Sequence, residues 1–286
     1  MKPEEIREKL SIIAQKLKLK LPQVQLLLAQ ERFIARLAEA GYAKNFIIKG
    51  GTLVLRLYDV LHTGRFTVDV DLLLKSLDFQ KVKTVFEKSC AIDLNDGFKF
   101  KNIRVTKFIR ETPYGGERFE INWTLFNKMQ SDRLRIDVCS GDTVDAQEIH
   151  YNDLAILKNM NCDLSVFVYP PHFIFAEKFE TAYTFGTGNT RAKDYIDMWT
   201  LIHSGLDKEK TLSSIEKCFK RRNSVFKKEE WMRIIKDTYL QEIITTQIKK
   251  NYKDLNLPSV DIIFDAIDDF ILLTIKKLER KAAKTK

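Results

Sequence analysis

Apolar positions recur at helical spacing through 23-QVQLLLAQERFIARLAEAG-41. This predicts a helix closed by Gly41, the second of two over roughly residues 3 to 40. The segment 45-NFIIK-49 predicts a short strand, Gly50-Gly51 a turn and 52-TLVLRLYDVL-61 a further helix. In 68-VDVDLLL-74 the period drops to two, so Asp69 and Asp71 share one face of a strand while Val68, Val70 and Leu72 take the other. A helix is predicted over 78-DFQKVKTVFEKS-89. Strands follow over 98-FKFKNIRVTKFIR-110, 117-ERFEINWTLF-126 and 133-RLRIDVCS-140, separated by turn signals at Pro113, Gly115-Gly116 and Ser131-Asp132.

Strand, helix, strand, helix and then an antiparallel run is an α+β pattern, a small mixed sheet with helices packed against it. From Pro170-Pro171 onward the pattern is almost wholly helical: 172-HFIFAEKFETAYTF-185, a loop 186-GTGNT-190, 192-AKDYIDMWTLIHSG-205, and further helices to the basic tail 276-KKLERKAAKTK-286. The expected organisation is therefore residues 1–169, N-terminal helices plus the sheet domain, and residues 170–286, a helical domain. There is no internal repeat.

Composition narrows the class. The 286 residues are 44% hydrophobic, which suits a packed core. Apolar runs such as 271-ILLTI-275 fall far short of the roughly 20 residues that span a bilayer. The N-terminus 1-MKPEEIREKL-10 is charged throughout, unlike a secretory signal. The expectation is a cytoplasmic protein with no membrane partner. Cys90, Cys139, Cys162 and Cys218 form no C-x-x-C pair, and His62, His150, His172 and His203 have no zinc-type spacing. The formal net charge of +9 favours a polyanionic partner. Between Lys217 and Lys236 eight basic residues, among them Lys220, Arg221, Arg222, Lys227 and Lys228, are interleaved with Phe219, Phe226 and Trp231. Two readings stay open there: an RNA-binding face, or a solvated helical surface with its aromatic residues turned to the core.

Two like charges on one face of a half-buried strand repel, so something cationic should sit between Asp69 and Asp71. A third carboxylate fits the pair. In 133-RLRIDVC-139 alternation places Asp137 with Arg133 and Arg135, opposite Leu134, Ile136 and Val138. If the two strands are neighbours, three carboxylates converge, and hard divalent cations such as two Mg²⁺ ions would relieve their repulsion while binding substrate phosphates. Gly50-Gly51-Thr52, at the start of a helix, supplies backbone N–H groups and close access for a phosphate.

Gly50-Gly51-Thr52 followed by Arg65-Phe66-Thr67-Val68-Asp69-Val70-Asp71 resembles the first motif of the AbiEii/AbiGii-type toxins of the polymerase-β-like nucleotidyltransferase superfamily. In that family the motif runs Gly-Gly-Thr, a helix, then Arg-x-Ser/Thr-x-Asp-x-Asp. Ala176-Glu177-Lys178 and Arg191-Ala192-Lys193-Asp194-Tyr195-Ile196-Asp197 resemble its later elements, so the likeness spans about residues 46 to 202. The resemblance implies a nucleotidyltransferase fold and transfer of NMP from an NTP to an acceptor hydroxyl. It implies that Asp69, Asp71 and Asp137 hold Mg²⁺, with Asp137 also the general base. Gly50, Gly51, Thr52, Arg65, Thr67 and Lys178 would contact the nucleotide, and Asp194 would orient Lys178 or the nucleotide. Asp197 reads as structural, and Arg56 is a further candidate for phosphate. The implied acceptor is RNA, in particular the 3′ end of tRNA. That activity suits the toxin of a toxin–antitoxin or phage-defence system with a cognate antitoxin. Two rivals remain: an enzyme that adenylylates a small molecule or a protein, and a non-catalytic nucleic-acid-binding module.

Overall fold

The computed structural model describes residues 3–59, 65–108, 116–129, 133–141, 144–157 and 164–284. The expected turns at Pro113, Gly115 and Ser131-Asp132, together with His62 and Cys162, lie outside them. The chain divides into two units, Met1–Leu57 with Phe66–Tyr169, and Tyr58–Arg65 with Pro170–Lys286.

In the first unit α1 (Pro3–Leu17) and α2 (Leu21–Glu39) lead into β1 (Phe46–Lys49), the short α3 (Gly51–Leu53), β2 (Asp69–Leu74) and α4 (Phe79–Cys90). Then come β3 (Phe98–Phe108), β4 (Gly116–Leu125), β5 (Lys128–Met129), β6 (Leu134–Cys139), β7 (Gln147–His150), α5 (Tyr151–Leu154) and β8 (Ser165–Val168). The mixed sheet runs β3-β4-β6-β2-β1-β8-β7, with β5 paired to β4. β2 lies parallel to β6 and antiparallel to β1.

The period of two in β2 is the cause of its two faces. Val70 and Leu72 are buried on the apolar side, in register with Ile136 and Val138 of β6. On that side Phe86 of α4 meets Phe33 of α2 at a ring separation of 5.1 Å and Phe119 of β4 at 4.8 Å, both edge to face. Asp78 caps α4 by accepting from the Gln80 amide. The sheet's other face is mixed: Ile47, Leu73 and Cys139 lie buried side by side at one end of these strands, and the polar side chains gather at the other.

Two features depart from the sequence expectation. Of the helix expected over 52–61, residues 60 and 61 lie outside the described residues, and the rest is one α turn, Gly51–Leu53, followed by a π-helical turn, Val54–Tyr58. Its Arg56 donates to Glu31 Oε1, the Leu27 carbonyl and the Leu154 carbonyl, contacts that hold this turn against α2 and α5. Strands β5, β7 and β8 were not foreseen. β8 has only four residues, too few to show a period.

The second unit comprises α6 (Pro171–Phe185), α7 (Ala192–His203), α8 (Lys208–Arg221), α9 (Lys228–Ile235), α10 (Thr238–Asn251) and α11 (Val260–Lys284). Pro171 opens α6, where its missing N–H costs nothing. Asp207 and Asp237 cap α8 and α10 by accepting from the Lys210 and Leu240 amides. Phe179 of α6 packs against Phe219, Phe226 and Trp231 at ring separations of 5.8, 5.7 and 4.9 Å. The aromatic residues interleaved with the basic run are thus turned to the core, with Phe219 and Trp231 buried.

Candidate active site

The first unit brings Asp69, Asp71 and Asp137 to one sheet face, because β2 and β6 are parallel neighbours with Asp71 opposite Asp137 and Asp69 opposite Arg135. Residues directly opposite on neighbouring strands project to the same side. Continuing the row outward, Arg118 of β4 is the partner of Asp137, and Lys49 of β1 is the partner of Asp71. One row across four strands therefore reads Arg118, Asp137, Asp71, Lys49: two central acids flanked by two cations.

The protein itself supplies one cation to this row, at Asp137 and beside Asp69. Arg118 donates Nε to Asp137 Oδ1 at 2.7 Å and Nη2 to Oδ2 at 2.8 Å, and Nη2 also lies 3.7 Å from Asp69 Oδ2. This bidentate pairing raises the Arg118 pKa. Asp69 is pushed above the ordinary carboxylate value, first by burial and then by Asp137 and Asp71, with Arg118 acting against the rise. Lys49 is buried, its ammonium 4.9 Å above the Tyr169 ring. Neither cation was identified from the sequence. Alternation in 116-GERFEI-121 does place Arg118 on the polar face, but which strand lies beside it is not written in β4 alone.

The glycine turn abuts the same row. Gly50 has φ +78°, and a Cβ there would stand 2.2 Å from Asp71 Oδ2. The missing side chain at Gly50 thus makes room for the protein's own Asp71 carboxylate. Thr52 Oγ1 beside it and Asp69 Oδ1 are buried with no hydrogen-bond partner among the described residues. Thr67 Oγ1 lies 3.4 Å from the Asp69 carbonyl.

Asp69 and Asp71 fit a hard divalent cation: both are oxygen donors, one oxygen has no partner, and glycine keeps the approach to Asp71 clear of a side chain. Asp137, expected as the third ligand, has both oxygens engaged by Arg118. Among the described residues no group of three acidic or metal-binding side chains is assembled for a metal.

The second unit carries a separate cluster. Lys178 of α6 places Nζ 2.6 Å from Asp197 Oδ2 and 3.1 Å from Asp194 Oδ1, both on α7. The i, i+3 spacing of the aspartates directs both to one side of that helix. Arg65 gives Nε and Nη2 to Asp197, and Arg191 Nε lies 3.0 Å from Asp194 Oδ2. Burial opposes every charge here, yet Asp197 and Asp194 hold the Lys178 ammonium above the ordinary lysine value, and Arg65 and Lys178 hold Asp197 below the ordinary carboxylate value. The expectation that Arg65 contacts phosphate meets a guanidinium already committed to Asp197.

On the basic run, Lys220, Lys227 and Lys228 are exposed, whereas Arg222 pairs with Glu180 and lies 3.2 Å from Thr181 Oγ1. The run is therefore not one uniform surface. Among the described residues no helix is long and apolar enough to cross a membrane.

A family model described as "Nucleotidyl transferase AbiEii toxin, Type IV TA system" matches residues 32–276. Among solved structures, JHP933 from Helicobacter pylori is similar over 91% of this chain and 96% of its own, at 13% identity and a TM-score of 0.54. A second H. pylori protein, described as a candidate nucleotidyltransferase, covers 88% and 96% at 14% identity and a TM-score of 0.47. Among curated proteins none matches.

Proposed function

This chain belongs to the AbiEii nucleotidyltransferase toxin family of type IV toxin–antitoxin systems, and from that premise we propose that it transfers NMP from an NTP to the 3′ end of tRNA with Mg²⁺ as its cofactor. The observation that carries this reading is the register that sets Asp71 of β2 opposite Asp137 of β6, with Asp69 on the same face.

Asp69 and Asp71 would hold the cation, which supplies charge neutralisation for the triphosphate and acidity for the attacking hydroxyl. Asp137 accepts the proton of that hydroxyl as its oxygen bonds to the α-phosphorus. The bond from the α-phosphorus to the bridging oxygen breaks, and pyrophosphate leaves. Gly51 would offer a backbone N–H to phosphate oxygens, and Thr52 a hydroxyl that has no hydrogen-bond partner among the described residues. The likeness of Ala176-Glu177-Lys178 to the family's motif supports Lys178 as a phosphate-binding ammonium, with Asp194 3.1 Å away to orient it. Catalysis then comes from alignment and charge complementarity.

For the acceptor, the formal net charge of +9 and the exposed Lys220, Lys227 and Lys228 support an RNA backbone. The family supports a cognate antitoxin. The test is incubation of the purified chain with Mg²⁺, total tRNA and each α-³²P-labelled NTP in turn, beside Asp69→Ala. Label in tRNA that vanishes in the variant is the expected result. Label on protein or small molecules would move the assignment to an adenylylating enzyme. No Asp69-dependent label would leave a nucleic-acid-binding module.

A further inference from the structure

Arg118 is a side chain that neither the motifs nor the proposed reaction uses, yet it lies against two of the three carboxylates. Its guanidinium accounts for both oxygens of Asp137 and comes within 3.7 Å of Asp69. We propose that Arg118 competes with the divalent cation for Asp137 and Asp69, and so sets how tightly this carboxylate cluster binds metal. The inference rests on the metal-site reading given above.

Three features of the geometry support competition rather than cooperation. First, the guanidinium that holds Asp137 also comes within 3.7 Å of Asp69, one of the two acids that would hold the cation, and a dication held beside so close a guanidinium is repelled. Second, Arg118 can withdraw. Its side chain is 37% exposed, so its head group can move into water without crossing the core, whereas Asp137 is only 8% exposed. Third, the other flanking cation cannot play this part, because Lys49 is buried beside Tyr169. Lys49 is thus a fixed positive charge on one side of the acid pair, and Arg118 a removable one on the other.

The contrary arrangement is chemically distinct. A carboxylate held by a bidentate guanidinium keeps its outer lone pairs, and if the cation used those, Arg118 would hold Asp137 in place for the metal. Removing Arg118 would then weaken binding rather than strengthen it. The direction of the change decides between the two.

The experiment measures Mn²⁺ binding to the full chain by calorimetry and by loss of the free-ion EPR signal, with thermal melting in the presence and absence of Mn²⁺, for wild type, Arg118→Gln, Arg118→Lys and Asp69→Asn. Arg118→Gln is expected to bind Mn²⁺ on the order of tenfold more tightly than wild type, the size of one charge-assisted contact. Its melting temperature without Mn²⁺ should be lower and its Mn²⁺-dependent rise larger. Arg118→Lys keeps the charge but loses the two-pronged grip, and should fall between the two. It also serves as the deciding variant if the glutamine chain does not fold. Affinity unchanged or weakened in both variants, while wild type binds and Asp69→Asn does not, overturns the competition and leaves the metal site standing. Absence of Asp69-dependent binding in every chain overturns both.

Discussion

Arg65 gives its guanidinium to Asp197, 132 residues further along the chain, with Nη2 2.9 Å from Oδ2. Asp197 also receives Lys178, and its side chain is fully buried. One carboxylate is therefore shared by two cations that burial would otherwise penalise, with Asp194 as the second partner of Lys178. Asp197→Asn is expected to destabilise the chain by about 3–5 kcal/mol, the cost of leaving buried charge without its partner. Urea unfolding of the variant beside Asp194→Asn checks this. A loss below about 1 kcal/mol for Asp197→Asn would show that the cations find other acceptors.

Gly50 meets two separate demands, a φ of +78° and a Cα so close to Asp71 that a Cβ would stand 2.2 Å from Oδ2. Gly50→Ala is expected to cost about 1–3 kcal/mol from backbone strain. Because the added methyl displaces a carboxylate of the proposed metal site, nucleotidyl transfer should fall by roughly 100-fold or more if that site is the catalytic one. Melting and a transfer assay separate the two effects. Gly188→Ala, where a Cβ meets nothing within 4 Å, is the control that leaves both unchanged.

What the sequence made legible follows from range. The two faces of β2, the polar side of β6 and the one-sided placement of Asp194 and Asp197 are consequences of local period, and each stands where the pattern placed it. Arg118 and Lys49 were missed because their part depends on which strands are neighbours, and β6 joins β2 across more than sixty residues of chain. The interleaved aromatics of the basic run were ambiguous for a related reason. Phe219 and Trp231 are buried only because Phe179, far earlier in the chain, is there to receive them.

A second buried charge cluster gives the first unit a pH dependence. Asp96 accepts from Arg32 Nε, from Arg36 Nη1 and Nη2 and from the Phe98 amide. Burial pushes its pKa up, but Arg36 and Arg32 outweigh that and hold it below the ordinary value of 3.8. A carboxylate lowered in the folded state contributes stability that is present above its unfolded pKa and is lost as pH falls through the folded one. Wild type should therefore lose this contribution below about pH 4. Asp96→Asn should cost about 3–5 kcal/mol at neutral pH, with the gap to wild type narrowing in acid. Chemical denaturation at pH 7 and at pH 3 measures both.

The basic run separates into residues that face water and residues that hold the fold, which makes the proposed RNA contact testable without confusing the two. Lys220, Lys227 and Lys228 are exposed, while Arg222 is paired with Glu180 and close to Thr181. Replacing the three lysines together by Ala should weaken tRNA binding and reduce the slope of log affinity against log salt by about 2 to 3, with little change in melting temperature. Arg222→Ala should instead lower the melting temperature, because it leaves the buried Glu180 carboxylate without its cation. Salt titration of fluorescent tRNA binding reads the first, and thermal melting the second. An unchanged slope in the triple variant would remove this face from the RNA-binding assignment and send the search for a phosphate-contacting surface elsewhere on the chain.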